Sequence, residues 1–222
     1  MDAFVNGIRL SYERYGEGRP LVLLHGNGED HTIFDEAMEV LGEHFTCFAL
    51  DSRGHGDSDM VDELHYEDMA SDLLAFLEAL DLRDVVFYGF SDGGIIGLLA
   101  ASRCDRITTL IVSGANTSPK AVKLWLRALM AALRVLTKDK KIVLMLNEPQ
   151  ITDAELASIR ARTLVLAGSG DLIPEWETKH IASAVPGAEL KILPGEGHGS
   201  YIVHSLKIAE LIRAFLRGEE EA

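Results

Sequence analysis

From Val85 to Leu99 the chain reads Val-Val-Phe-Tyr-Gly-Phe-Ser-Asp-Gly-Gly-Ile-Ile-Gly-Leu-Leu: an apolar β-type run, a Gly-x-Ser-x-Gly turn and an apolar helical run, with no linker between them. A strand that becomes a helix within so few residues brings backbone against backbone. Gly89 and Gly93 are needed because a Cβ at either place would collide with the neighbouring strand or helix. Ser91, at the apex, is then held in a strained conformation with its hydroxyl above the sheet edge. Gly-x-Ser-x-Gly alone is a common turn composition; the flanking strand and helix make it informative.

The rest of the chain repeats the alternation. Leu21–Leu24, Thr46–Leu50, Leu110–Ser113, Thr163–Ala167 and Leu190–Leu193 are further buried-strand runs separated by helical patterns, of which 66–80, 92–103 and 206–216 are the clearest. This is the pattern of an α/β fold with a mostly parallel sheet covered on both faces. Ala3–Val5 and Ile8–Tyr15 flank Asn6-Gly7, a tight-hairpin signal, so the sheet is predicted to begin antiparallel. At 222 residues the chain reads as one domain, 1–222, with 117–160 inserted as a small helical cap and a solvated tail from Gly218.

A serine hydroxyl needs a base to take its proton and a carboxylate to orient that base. Two later strands end in glycine-rich loops that carry such groups: Thr163–Ala167 leads into Gly-Ser-Gly-Asp171, and Leu190–Leu193 into Pro-Gly-Glu-Gly-His198. Both lie at carboxyl ends of strands, where open α/β sheets build their sites. Alone, Asp171 would read as the N-cap of a helix starting near Pro174, and His198 as a satisfied loop histidine; jointly and in order they read as orienter and base. Glu196 competes with Asp171 but lies two residues from His198, and the preceding strand end offers Asn116 and no carboxylate.

Charge developing on an attacked carbonyl needs fixed N–H donors. The loop His25-Gly-Asn27-Gly28 follows a strand, and the N–H groups of Asn27 and of Asp92, at a helix N-terminus, are the predicted pair. Gly26 and Gly28 would let this backbone approach a substrate, with His25 bracing the loop. Asp92 has two readings: a carboxylate favoured by the helix dipole, or a partner for a substrate ammonium.

These motifs, with Asp51-Ser-Arg-Gly-His-Gly-Asp-Ser58, resemble those of the α/β-hydrolase superfamily over nearly the whole chain. The resemblance implies an eight-stranded sheet with the site under a cap, and hydrolysis through an acyl-enzyme on Ser91 without metal or organic cofactor. It leaves the substrate open: a small carboxylic ester leads, a carbon–carbon (meta-cleavage product) hydrolase is the alternative, and a non-catalytic ligand-binding protein is the third reading.

Composition narrows the partners. A formal charge of −14 argues against nucleic acid, no apolar stretch is long enough for a membrane span, and Cys47 and Cys104 lack ligand spacing. These point to a cytoplasmic protein with a small-molecule ester substrate; oligomeric state is left open. In the cap, Pro119 to about Lys141 reads as one amphipathic helix. Val122, Trp125, Leu126, Leu129, Leu133 and Leu136 would face the core, with Trp125 a candidate substrate contact. Lys120, Lys123, Arg127, Arg134, Lys138 and Lys141 would form a basic outer face that either is merely solvated, binds a membrane surface or steers an anionic substrate.

Overall fold

The computed structural model describes residues 1–220, with side chains through residue 217. Its eight strands are β1 (Asp2–Val5), β2 (Ile8–Tyr15), β3 (Arg19–Leu24), β4 (Phe45–Leu50), β5 (Val85–Phe90), β6 (Ile107–Ser113), β7 (Arg162–Gly168) and β8 (Glu189–Leu193). They form one sheet in the order β1-β2-β4-β3-β5-β6-β7-β8. β1 and β2 form the expected antiparallel hairpin, Asn6 and Gly7 both taking positive φ, and β2 pairs antiparallel to β4. All later pairings are parallel.

The helices are α1 (Asp35–Leu41), α2 (Tyr66–Ala79), α3 (Asp92–Ala101), α4 (Leu124–Thr137), α5 (Lys140–Asn147), α6 (Asp153–Ser158), α7 (Glu175–Ala184) and α8 (Lys207–Glu220). Alternation along the strands explains why both faces are covered. Val22 and Leu24 join a core with Leu73 and Phe76 of α2, Leu98 of α3 and Ile181 of α7; Leu21 and Leu23 join a second core with Met38 of α1 and Ile212 of α8. Strands with two buried faces have no polar side, hence their continuous apolar runs. Among the described residues no helix is long and apolar enough to cross a membrane.

Two expectations are corrected. Helix α8 continues through Gly218 to Glu220, because one glycine costs a helix only about 1 kcal/mol; of the predicted tail, residues 221–222 lie outside the described residues. The single helix predicted from Pro119 to Lys141 is three pieces: a 3₁₀ turn at Pro119–Ala121, α4, and α5. Lys138 at φ 52 ends α4 in a left-handed residue, and Asp139 caps α5 by accepting from Lys141 N–H. That reversal lets two helices share the space above the carboxyl ends of β5 to β7. Asp139 was the local signal, a short acidic side chain placed to satisfy N–H groups that a helix start leaves unpaired.

The faces of α4 are also not as predicted. Leu126 and Met130 turn toward the interior, whereas Trp125, Leu129 and Leu136 face outward with Leu124 and Val135. The helix carries more apolar residues than one inward stripe can use. Nor do the predicted bases all stay on one outer stripe: Lys123 Nζ donates to the carbonyl of Asp171.

Candidate active site

The turn after β5 has the geometry its residues demand. A Cβ on Gly89 would lie 2.2 Å from the carbonyl oxygen of Gly93, and one on Gly93 2.2 Å from that of Leu24. Ser91 sits at φ 52, ψ −112, a backbone conformation that costs on the order of 1–3 kcal/mol and is fixed by the strand and helix on either side. Ser91 N–H donates to the carbonyl of Ser113 and Gly93 N–H to that of His25, pinning the turn to both neighbouring strand ends.

His198 reaches the same place from the loop after β8. Ser91 Oγ lies 3.1 Å from His198 Nε2, and His198 Nδ1 lies 2.6 Å from Asp171 Oδ1. An ionised carboxylate only accepts, so Nδ1 carries the proton and Nε2 is left to accept from the hydroxyl. Asp171 is almost wholly buried, and its Oδ1 also accepts from the N–H of Ile173. It does not cap α7, whose cap position is Pro174. The competing Glu196 is turned away: its carboxylate accepts from Lys207 Nζ and Ser200 Oγ, and the Lys207 ammonium holds it below its usual range.

The loop after β3 lies across the turn. Asn27 Nδ2 donates to Asp92 Oδ2 at 2.8 Å, while Tyr66 hydroxyl donates to Asp92 Oδ1 at 2.7 Å. Among the described residues neither Asn27 N–H nor Asp92 N–H donates to a protein acceptor. Burial pushes the Asp92 carboxyl up, against the downward pull of those two donors. His25 is braced as its position suggests: Ser52 N–H donates to Nε2, so Nδ1 carries hydrogen and donates to the carbonyl of Gly26. Asp51 in turn holds its own loop, accepting from the N–H groups of His31 and Asp57.

The two loop glycines do different jobs. A Cβ on Gly26 would lie 3.1 Å from that of Ser91, a real close approach, but one on Gly28 would meet nothing within 4 Å; its φ of +77° is what glycine supplies there. Sequence reasoning missed Glu29, whose Oε2 accepts from Gly26 N–H and whose carboxyl is pushed up by burial. A capping-like carboxylate three residues along was its only signal.

A cavity opens beside Ser91 and His198. Its wall is largely apolar: Val122, Leu126 and Met130 from the α4 side, Met145 from α5, and Leu172 and Ile173 from the loop after Asp171. Asp92, Tyr66, Asn116 and Glu148 supply the polar part, and Glu148 is engaged by His65 and by Tyr66 N–H. Trp125, the predicted substrate contact, is not in this wall; it is 58% exposed on the outer side of α4, and the residues of α4 that line the cavity are Leu126 and Met130. Leu126 was expected on the inner face, but Met130 was not, because which arc of α4 turns inward depends on how the 119–123 segment enters it.

A strand–serine–helix turn beneath a histidine and a buried aspartate, with a facing glycine-containing loop, defines an α/β-hydrolase architecture. Residues 19–140 match the α/β hydrolase fold family, and the chain belongs to it. It is 26% identical to the mouse (Mus musculus) serine hydrolase BPHL over 96% of this chain and 84% of that protein. Among solved structures it resembles the enol-lactonase from Burkholderia xenovorans LB400, with TM-score 0.82 and 23% identity over 98% of this chain and all of that one. It also resembles a thermophilic esterase from Thermogutta terrifontis, with TM-score 0.80 and 25% identity over 98% of each chain.

Proposed function

We infer that the chain is a serine hydrolase that cleaves a small carboxylic ester, as a single domain with 117–160 as its cap. The observation that carries this reading is the pair of contacts from Ser91 Oγ to His198 Nε2 and from His198 Nδ1 to Asp171 Oδ1. In this mechanism Ser91 Oγ attacks the ester carbonyl as His198 Nε2 takes its proton, and the Asn27 and Asp92 N–H groups receive the charge that builds on the carbonyl oxygen. His198 then protonates the leaving alkoxide, and the acyl-serine is cleared by water activated through the same imidazole. The second reading, hydrolysis of a carbon–carbon bond in a dienoate, needs a cation for the substrate carboxylate. The cavity's described lining holds the carboxyl groups of Asp92 and Glu148 and no lysine or arginine, which favours an uncharged acyl group. With two cysteines unpaired and Cys47 buried in β4, the reading fits a reducing cytoplasmic compartment.

The test is labelling by a fluorophosphonate, followed by hydrolysis of a p-nitrophenyl ester series beside a dienoate. Labelling lost in Ser91→Ala, with turnover of short to medium acyl esters, is expected; turnover of the dienoate in preference to every ester would overturn the ester assignment.

A further inference from the structure

Helix α4 has one face too many. Its inner side covers the cavity through Leu126 and Met130, yet its outer side is apolar and uncovered: Leu124, Val135 and Leu136 are 77%, 78% and 79% exposed, with Trp125 and Leu129 beside them. Ala128, Ala131 and Ala132, also exposed, fill the spaces between. At 3.6 residues per turn these positions span an arc of about 160°, and no charged side chain falls inside it. A large contiguous apolar patch on an otherwise acidic protein calls for an occupant.

The charges around the patch say which. The segment 117–147 holds seven bases and one acid, Asp139, so the rest of the chain carries a formal −20. Arg127, Arg134 and Lys138 edge the apolar arc, with Lys120 before it and Lys141 after it. Among the described residues none of the segment's bases has a carboxylate at ion-pair distance, although elsewhere in the chain pairs such as Arg53–Asp72, Arg103–Glu67 and Arg162–Glu189 are formed. An apolar helix face with a tryptophan, edged by unpaired bases, is the chemistry that anionic lipid recognises. The bases meet headgroups, the apolar arc enters the acyl boundary, and indole sits between the two. The acidic body would be repelled by the same surface, orienting the molecule with this helix down. A second copy meeting the patch face to face would set two basic segments against each other.

We propose that the outer face of α4 docks the protein on an anionic lipid surface, so that the cavity beneath its inner face opens at the interface. The docking stands on this face alone; that it would deliver lipophilic esters to Ser91 rests on the hydrolase reading. Trp176→Phe leaves Trp125 as the sole tryptophan, and its emission is followed with vesicles of phosphatidylglycerol and phosphatidylcholine and with vesicles of phosphatidylcholine alone. A blue shift and co-sedimentation are expected with the anionic vesicles. Affinity should be about tenfold or more weaker for the zwitterionic ones, and should fall as salt is raised. Val135→Glu with Leu136→Glu should abolish binding, and Arg134→Glu with Lys138→Glu should weaken it, while both hydrolyse a water-soluble ester at the wild-type rate. Binding by Ser91→Ala should be unchanged, so loss of turnover and loss of docking are read separately. Failure of the wild type to bind anionic vesicles, binding indifferent to the outer-face variants, or a dimer in sedimentation that Val135→Glu with Leu136→Glu dissociates would each overturn the proposal, the last by assigning the face to a second copy.

Discussion

Asn27 and Asp92 are tied to each other side chain to side chain, Asn27 Nδ2 donating to Asp92 Oδ2 at 2.8 Å, and their two N–H groups are the proposed donors to the ester oxygen. The bond joins the loop after β3 to the first turn of α3, so the carboxylate sets the spacing of the donor pair. With Tyr66 on its other oxygen, Asp92 has both oxygens engaged, which weighs against pairing with a substrate ammonium. Asp92→Asn should therefore lower kcat by about 10² while leaving KM near wild type, below or comparable to the loss of one oxyanion donor. Comparing kcat/KM for an α-amino ester and its uncharged isostere checks this: equal losses are expected, and a selective loss with the charged ester would restore ammonium recognition.

Removing Ser91 or His198 should each reduce ester turnover toward background, by up to about 10⁶, with the double variant no worse than either single one, because the groups act as a unit. Single-turnover kinetics on Ser91→Ala, His198→Ala and the pair measure it. A Ser91→Ala enzyme with a tenth of the wild-type rate would mean another nucleophile.

Asp171→Asn should fold and lose about 10⁴ in kcat, as an amide would hold the imidazole in the wrong tautomer. Glu196→Gln should turn over at close to the wild-type rate, since that carboxylate is committed to Lys207 and Ser200. The opposite ranking of the two variants would move the orienting role to Glu196.

Gly114, at φ +61° after β6, lies directly behind the imidazole of His198, the proposed base: a Cβ there would be 2.7 Å from His198 Cε1. Gly114→Ala should cost only about 1 kcal/mol in stability from the left-handed backbone, yet lower kcat by about 10² by pushing the ring from Ser91. Thermal unfolding set beside kcat tests the split; a loss of stability with kcat unchanged would show that the ring has room.

Acid should destabilise the fold through the neighbouring imidazoles of His25 and His55, whose ring centres are 5.2 Å apart and whose planes are tilted by 50°. Burial lowers His25 and pushes His55 down to about 4, with a carbonyl of Arg53 opposing it. A folded-state value below the unfolded one, about 6.5, means that the unfolded chain binds more protons between the two. The stability is fully present above about 6.5 and is lost as pH falls toward 4, by about 3 kcal/mol for His55 alone. Urea unfolding across that range should show a flatter slope in His55→Gln; identical slopes would refute the assignment.

The sequence by itself determined the alternation of β3 to β8 with helices, the hairpin at Asn6-Gly7 and the turn at Ser91, because each rests on local sterics or on a burial pattern with a period of two or 3.6. That Ser91, Asp171 and His198 each follow the carboxyl end of a strand was legible for the same reason, since each of those strands is a recognisable apolar run. Only the tertiary structure decided what surrounds them. The choice of Leu126 and Met130 over Trp125 for the cavity wall, the turning of Glu196 toward Lys207, and the tie from Asn27 to Asp92 depend on where separate segments meet. The segment after Gly114 makes the point most sharply: α4 has apolar residues on two arcs, either could face inward by pattern alone, and the break at Lys138 and the anchoring of Lys123 on the Asp171 carbonyl select the one that does.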